Sequence, residues 1–349
     1  MTRNKLLLVA RNDKFCISNR ERKSAMMKNL TVTMAVLMLS MSVFAHKKDP
    51  EYLKARRNGG ELRMIILAVD DDGTAVSNAS VRVLMGMNFR ERAYFVNGIT
   101  DAQGQFVIEG KTTGNEVEIR VAKDGYYTAS KKLCLIKMGS EYEVRNGKWQ
   151  PWGMVLELPM RKVVNPIELL AFHDSIQVPA TNTWIGFDMK KKDWIASGRG
   201  GETPDFEVMV KWDGRPMATL EFAQMDIRFV GKGAGFYLAD KTIGSAFTGV
   251  YNADTNHPFQ TEFSCRAMRK NGVFSDSGIP NGKLMVARSR CKLDDKGNII
   301  EANYSTIRSL FIEGGWDGKA EAIANYRFNP TPNDTNLEDA QNVRRLKSQ

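Results

Sequence analysis

Beyond Arg57 the chain places few apolar residues at helical spacing and instead alternates them with polar ones, in short segments bounded by Gly, Asp and Asn. A period of two puts successive side chains on opposite faces of a strand, and the turn residues between segments favour hairpins over helical crossovers. Val117, Ile119 and Val121, set against Glu118, Arg120 and Ala122, show the pattern clearly. The expectation is an all-β chain of two antiparallel β-sandwich domains.

One earlier stretch departs from this pattern. Residues 30–44 form an apolar run behind a polar, basic leader. Read from Met27, Lys28 supplies a short positive region, residues 32–39 an apolar core, and Val43-Phe44-Ala45 a small-x-small cleavage site. This predicts a signal peptide cleaved after Ala45, a mature start at His46, an over-extended start over residues 1–26, and a secreted or periplasmic location. A spanning helix needs about 20 apolar residues, and this shorter run is interrupted by Thr31, Thr33, Ser40 and Ser42. No membrane span is expected in the mature chain, and no cysteine at the cleavage site offers a lipid anchor.

That assignment changes the charge argument. The full chain carries 50 basic and 40 acidic side chains, but residues 1–45 hold 8 of the basic and 2 of the acidic ones, leaving a net +4. A nucleic-acid partner then loses its electrostatic support.

The remaining length suffices for two domains. In the first, residues 60–160, strand-like segments fall at 62–69, 80–84, 105–108, 117–122, 126–135 and 154–158. Asp70-Asp71-Asp72-Gly73, Asp101-Ala102-Gln103-Gly104 and Lys123-Asp124-Gly125 supply the turns between them. The spacing of Val69, Gly73, Val76, Ala79, Val81 and Val83, then Thr100-Asp101, Gly104 and Phe106, then Lys123 and Gly125-Tyr126, resembles the carboxypeptidase-regulatory-like module, a transthyretin-like β-sandwich with Ig-like relatives. The resemblance covers under a quarter of the chain and implies an accessory domain without catalytic residues. In the second domain, residues 161–332, segments at 184–189, 206–212, 218–222, 227–230, 263–268, 284–289, 298–303 and 322–328 predict a jelly-roll-like or irregular sandwich. Residues 333–349 read as a polar tail. Asn165-Pro166-Ile167, Ile185-Gly186-Phe187-Asp188, Asp193-Trp194, Asp205-Phe206 and residues 328–334 resemble uncharacterised secreted bacterial proteins in which this region follows the same accessory module; that resemblance implies no activity.

The chemistry-bearing residues return mostly exclusions. His173 and His257 lack a partner at zinc-binding spacing. Asp70, Asp71, Asp72 and Asp101 are hard oxygen ligands without the twelfth-position acid of a calcium loop, so they read as turn residues. Gly231-Lys232-Gly233-Ala234-Gly235 misses phosphate-loop spacing and reads as a glycine turn, and no Gly-x-Ser-x-Gly elbow occurs. No catalytic residue, cofactor or metal is expected. Asp188, Asp193, Asp205, Glu207 and Asp213 cluster in sequence, however, and paired carboxylates are what glycoside hydrolysis requires.

Two hints concern recognition and cross-linking. Alternation across 184–189 puts Ile185, Phe187 and Met189 on the core face and leaves Trp184, Gly186 and Asp188 on the other, beside a basic loop. Trp184, Asp188, Trp194 and Arg199 thus form a candidate platform for a glycan or envelope component, unless a second sheet covers Trp184. Trp212 shares parity with Phe206, Val208 and Val210 and reads as core. Cys265 and Cys291 flank the turn-rich residues 271–282, so a hairpin would let them form a disulfide; the rival reading is two buried thiols. The leading function is an exported non-catalytic binding or structural protein of the cell envelope or exterior, and the alternative is a secreted hydrolase acting on glycans.

Overall fold

The computed structural model describes residues 49–86, 93–114, 116–135, 143–215, 219–270, 273–314 and 319–347. The predicted signal peptide and its cleavage site lie outside these residues. The described part opens with a helix, Pro50–Asn58, whose first amides are capped by Asp49 and whose last turn carries Arg56 and Arg57. Pro at the first position and basic residues at the last both suit a helix.

The first domain then runs through β1 (Gly60–Val69), β2 (Ser80–Met85), β3 (Tyr94–Ile99), β4 (Gln105–Thr112), β5 (Val117–Ala122), β6 (Ala129–Leu133), β7 (Val144–Arg145), β8 (Lys148–Trp149) and β9 (Met154–Pro159). One sheet has the order β4-β1-β8-β7 with β9 also on β1, and the other β3-β2-β5-β6. Their inner rows, Leu62, Met64 and Ile66 from one and Val81, Val83, Ile119 and Val121 from the other, are fully buried around Trp149. The sandwich is not wholly antiparallel, because β9 pairs with β1 in parallel. The β7–β8 hairpin docks at the start of β1 through Glu61 and Lys148, so the chain enters β9 beside Met64 running in the β1 direction.

The second domain comprises β10 (Leu170–Gln177), β11 (Trp184–Asp188), β12 (Asp193–Ile195), β13 (Phe206–Trp212), β14 (Phe222–Phe229), β15 (Gly235–Asp240), β16 (Glu262–Lys270), β17 (Val273–Ser277), β18 (Lys283–Leu293), β19 (Ile299–Gly314) and β20 (Ala320–Phe328). A five-stranded sheet, β10-β20-β19-β18-β15, packs on a six-stranded one, β12-β11-β13-β14-β16-β17. Phe187, Phe206, Phe229, Phe236, Tyr326 and Phe328 fill the space between them. The outer face of the five-stranded sheet is covered as well, since Tyr237, Leu284, Val286 and Tyr304 lie buried with Ala253 and Leu337. The outer face of the six-stranded sheet stays in solvent, with Lys211, Ser264, Arg266 and Met268 exposed on it.

Two expectations need correction here. Residues 333–349 are not a polar tail: Leu337, Glu338 and Asp339 are buried, and a helix, Ala340–Lys347, follows. Asp339 accepts a 2.6 Å hydrogen bond from Arg327 Nε. Glu338 accepts from the Tyr127 hydroxyl of the first domain at 2.9 Å and from the amides of Val164 and Asn165 in the linker. The cysteine bridge is not formed either, because Cys134, Cys265 and Cys291 are free thiols. Cys265 lies on β16, whose hairpin partner is β17, whereas Cys291 lies on β18, which has crossed to the opposite sheet.

Candidate functional site

The open face of the six-stranded sheet is built by cross-strand pairing of residues that alternate away from the core. Gly186 stands opposite Glu207 and Trp184 opposite Met209; one strand further, Glu207 faces Arg228 and Met209 faces Asp226. Arg228 donates to Glu207 through Nε at 2.6 Å and lays its guanidinium over the Trp184 ring, 4.2 Å from the centroid. Beside Trp184 a groove of about 570 Å³ is walled by Pro179 and Pro204, floored by Gly186 and Ile195, and edged by Glu202 and Glu207. Glycine suits the floor, since a Cβ there would stand 3.0 Å from Ile195 and 3.1 Å from Pro204. Next to the groove, Asp226 accepts hydrogen bonds from Ser264, Gln224 and Lys211. Burial raises its carboxyl, but these donors and the lysine charge more than offset that and hold it below the usual range.

Of the four platform residues expected from sequence, only Trp184 lines this groove. Trp194 pairs with Phe187 across β11 and β12 and is 1% exposed, so it belongs to the core. The turn Lys190-Lys191-Lys192 reads as loop in sequence, and the hairpin it closes turns Trp194 inward. Arg199 is exposed but turns to Asp193, 3.8 Å away. Asp188 shares the parity of Trp184 yet is 1% exposed, because the strand ends there and its carboxylate becomes a hub. It accepts the amides of Lys190, Lys191, Glu202 and Thr203 and an ion pair from Arg290 at 2.6 Å. Trp212, expected in the core, packs against it while half-buried, and gives its indole N–H to the Arg215 carbonyl.

Arg290 ties this hub to the other sheet. It grips Asp205 through Nε and Nη2 at 2.9 Å each, and Asp205 also accepts from the Met189 amide and the Ser289 hydroxyl. For Asp188, burial pushes the carboxyl up, but the three amides of Thr203, Lys191 and Glu202 and then the Arg290 charge hold it below its ordinary value. A general acid needs the opposite environment, one that favours the protonated form. The remaining clustered acids are engaged too: Asp193 accepts the amides of Trp194 and Gly200, and Asp213 those of Arg215, Glu221 and Phe222.

The other sequence candidates have local structural roles. Asp70 accepts the amides of Asp72 and Thr74 and pairs with Lys162, and Asp101 accepts those of Gln103 and Gln105. His257 stacks on Tyr237 with centroids 4.2 Å apart, and His173 is exposed on the edge strand β10. Gly231 and Gly233 take positive φ in the turn between β14 and β15. Among the described residues there is no cluster of three metal-ligating side chains and no helix long and apolar enough to cross a membrane. The residue that sequence reading missed is Arg228. Its place over Trp184 depends on the β13–β14 register, which no local motif announces.

No family model matches this chain, and no curated protein matches it. Among solved structures it is similar to 3-chlorocatechol 1,2-dioxygenase from Rhodococcus opacus 1CP at 13% identity and a TM-score of 0.24, over 31% of this chain and 62% of that one. Similarity to the Bacillus anthracis TIE protein is 11% identity with a TM-score of 0.21, over 80% of this chain and 49% of that one. A 9R-lipoxygenase from Cyanothece PCC8801 gives 9%, 0.19, 78% and 48% in the same terms. The chain thus spans less than two thirds of each of these proteins, and likenesses this slight carry neither family nor activity across.

Proposed function

We propose that the chain is an exported, non-catalytic binding protein whose second domain holds a polyhydroxylated ligand, a glycan of the envelope or exterior, in the Trp184 groove. The first domain serves as an accessory sandwich, as its carboxypeptidase-regulatory-like pattern suggests. The observation that carries this reading is a half-buried tryptophan held by Arg228 beside Glu202 and Glu207, on a face of the second sandwich that no described residue covers. An aromatic face stacks on the C–H surface of a sugar while carboxylates and a guanidinium take its hydroxyls. The locked state of Asp188 and Asp205 supports binding over hydrolysis.

The test is a glycan and envelope-extract binding screen on protein starting at His46, with Trp184→Ala and Arg228→Ala as controls. Saturable binding that falls at least about ten-fold in Trp184→Ala is expected, the scale of losing a central aromatic contact. Binding that survives this substitution removes the groove from the account. Hydrolysis abolished by Asp188→Ala or Asp193→Ala in a folded protein would restore the enzymatic reading.

A further inference from the structure

The face that carries the Trp184 groove continues past it. Trp184 stands opposite Met209, and Met209 opposite Asp226. Four residues back along β14, on the same face, lies Phe222, which pairs across to Met268 of β16. Both are exposed, and Asp213 fixes the approach to Phe222 by accepting the amides of Glu221 and Phe222 at 2.7 and 2.9 Å. With strands about 4.8 Å apart and about 3.4 Å per residue along them, two strands across and four residues along separate Trp184 from Phe222 by about 17 Å. Lys211, Ser264 and Arg266 are exposed on the same face, so no described residue closes the path between the two ends.

Between those ends the surface is polar, with matched charges. Lys211 pairs with Asp226 at 3.3 Å and Arg228 with Glu207 at 2.6 Å, while Gln224 and Ser264 each donate to Asp226 at 2.6 Å. Ions that already compensate one another give a charged partner little to complement, but they hold donors and acceptors in fixed positions for a neutral ligand rich in hydroxyls. An aromatic side chain at each end adds a face on which a sugar ring stacks. We propose, resting on the reading of the Trp184 groove as a glycan site, that the site extends across the sheet to a second stacking platform at Phe222 and Met268, and that its ligand is a neutral, β-linked glycan chain several units long. The open run of strands suits the straight ribbon that such a chain forms. Trp184 holds one end, Phe222 the other, and the Asp226 cluster takes hydroxyls between them.

The test titrates cello- and chito-oligosaccharides, from dimer to hexamer, into the purified chain in a calorimeter. Affinity should rise at least about ten-fold from dimer to hexamer, the scale of one added aromatic contact. Phe222→Ala should remove that gain and leave the dimer unchanged, whereas Trp184→Ala should weaken every length. Met268→Lys, at an exposed position, should reproduce the loss on the hexamer alone, which keeps the test decisive should Phe222→Ala disturb its turn. Equal affinity at every length, or a hexamer that binds both the Phe222→Ala and the Met268→Lys proteins as tightly as wild type, overturns the second platform and leaves the Trp184 groove standing. Absence of binding at every length overturns the extension and, if the glycan screen is blank as well, the groove reading with it.

Discussion

Asp188 and Trp184 sit on the same side of one short strand, yet one is a buried hub and the other a half-exposed ring. Strand alternation fixed the row but could not say that the row ends at Asp188, where amides from two turns and an arginine from the opposite sheet converge. Asp188→Asn should cost about 3 kcal/mol at pH 7, the scale for removing one partner of a buried pair. The folded carboxyl lies below its ordinary value. Its contribution is therefore complete above the unfolded value near 4 and is lost as pH falls through the lower folded value. Urea midpoints should accordingly separate wild type from Asp188→Asn at pH 7 and draw together as the pH falls below about 4; a constant gap would show that the carboxylate charge is not what matters. Trp184→Ala, by contrast, should lower stability by only about 1 kcal/mol, since the ring is half-exposed and loses mainly its contact with Arg228. A loss of several kcal/mol in the same urea measurement would mean that Trp184 is structural.

Among the strands, those with strong alternation were legible almost to the residue, as at Val117–Ala122 and Phe206–Trp212. Among those missed, Tyr94–Ile99 has a mostly exposed pattern on a sheet edge, and Leu170–Gln177 is an edge strand whose apolar row, Leu170, Phe172 and Ile176, is only partly buried and is interrupted by the polar run His173 to Ser175. The hairpin connecting β16 to β17 explains why the cysteine argument failed: the segment expected to return beside Cys265 is β17, and β18 leaves for the other sheet. Alkylation in denaturant without reductant should therefore label Cys134, Cys265 and Cys291, checked by mass spectrometry, whereas a protected Cys265–Cys291 pair would restore the bridge. In the folded protein Cys265 should react last, being fully buried with burial pushing its thiol up to about 12.

Buried polar groups join the two domains beside the packed rings of Tyr127 and Phe247. Arg161, 6% exposed, lies over the rings of Phe247 and Tyr251 and donates to Asp71 at 3.0 Å, while Ala129 bridges to Ser245. Glu338 completes the junction. Composition alone assigned residues 333–349 to solvent, because a buried, paired carboxylate and a solvated one look alike in a string of letters. Glu338→Ala should cost about 3 kcal/mol by stranding Tyr127 and two linker amides, and calorimetry should then resolve separate transitions for the two domains. A single undivided transition at lower temperature would show that the junction is not what couples them. Tyr127 and Glu338 are 211 residues apart. The first sandwich can therefore close its own core before this seam exists, leaving the Tyr127 hydroxyl to water until Glu338 docks against it.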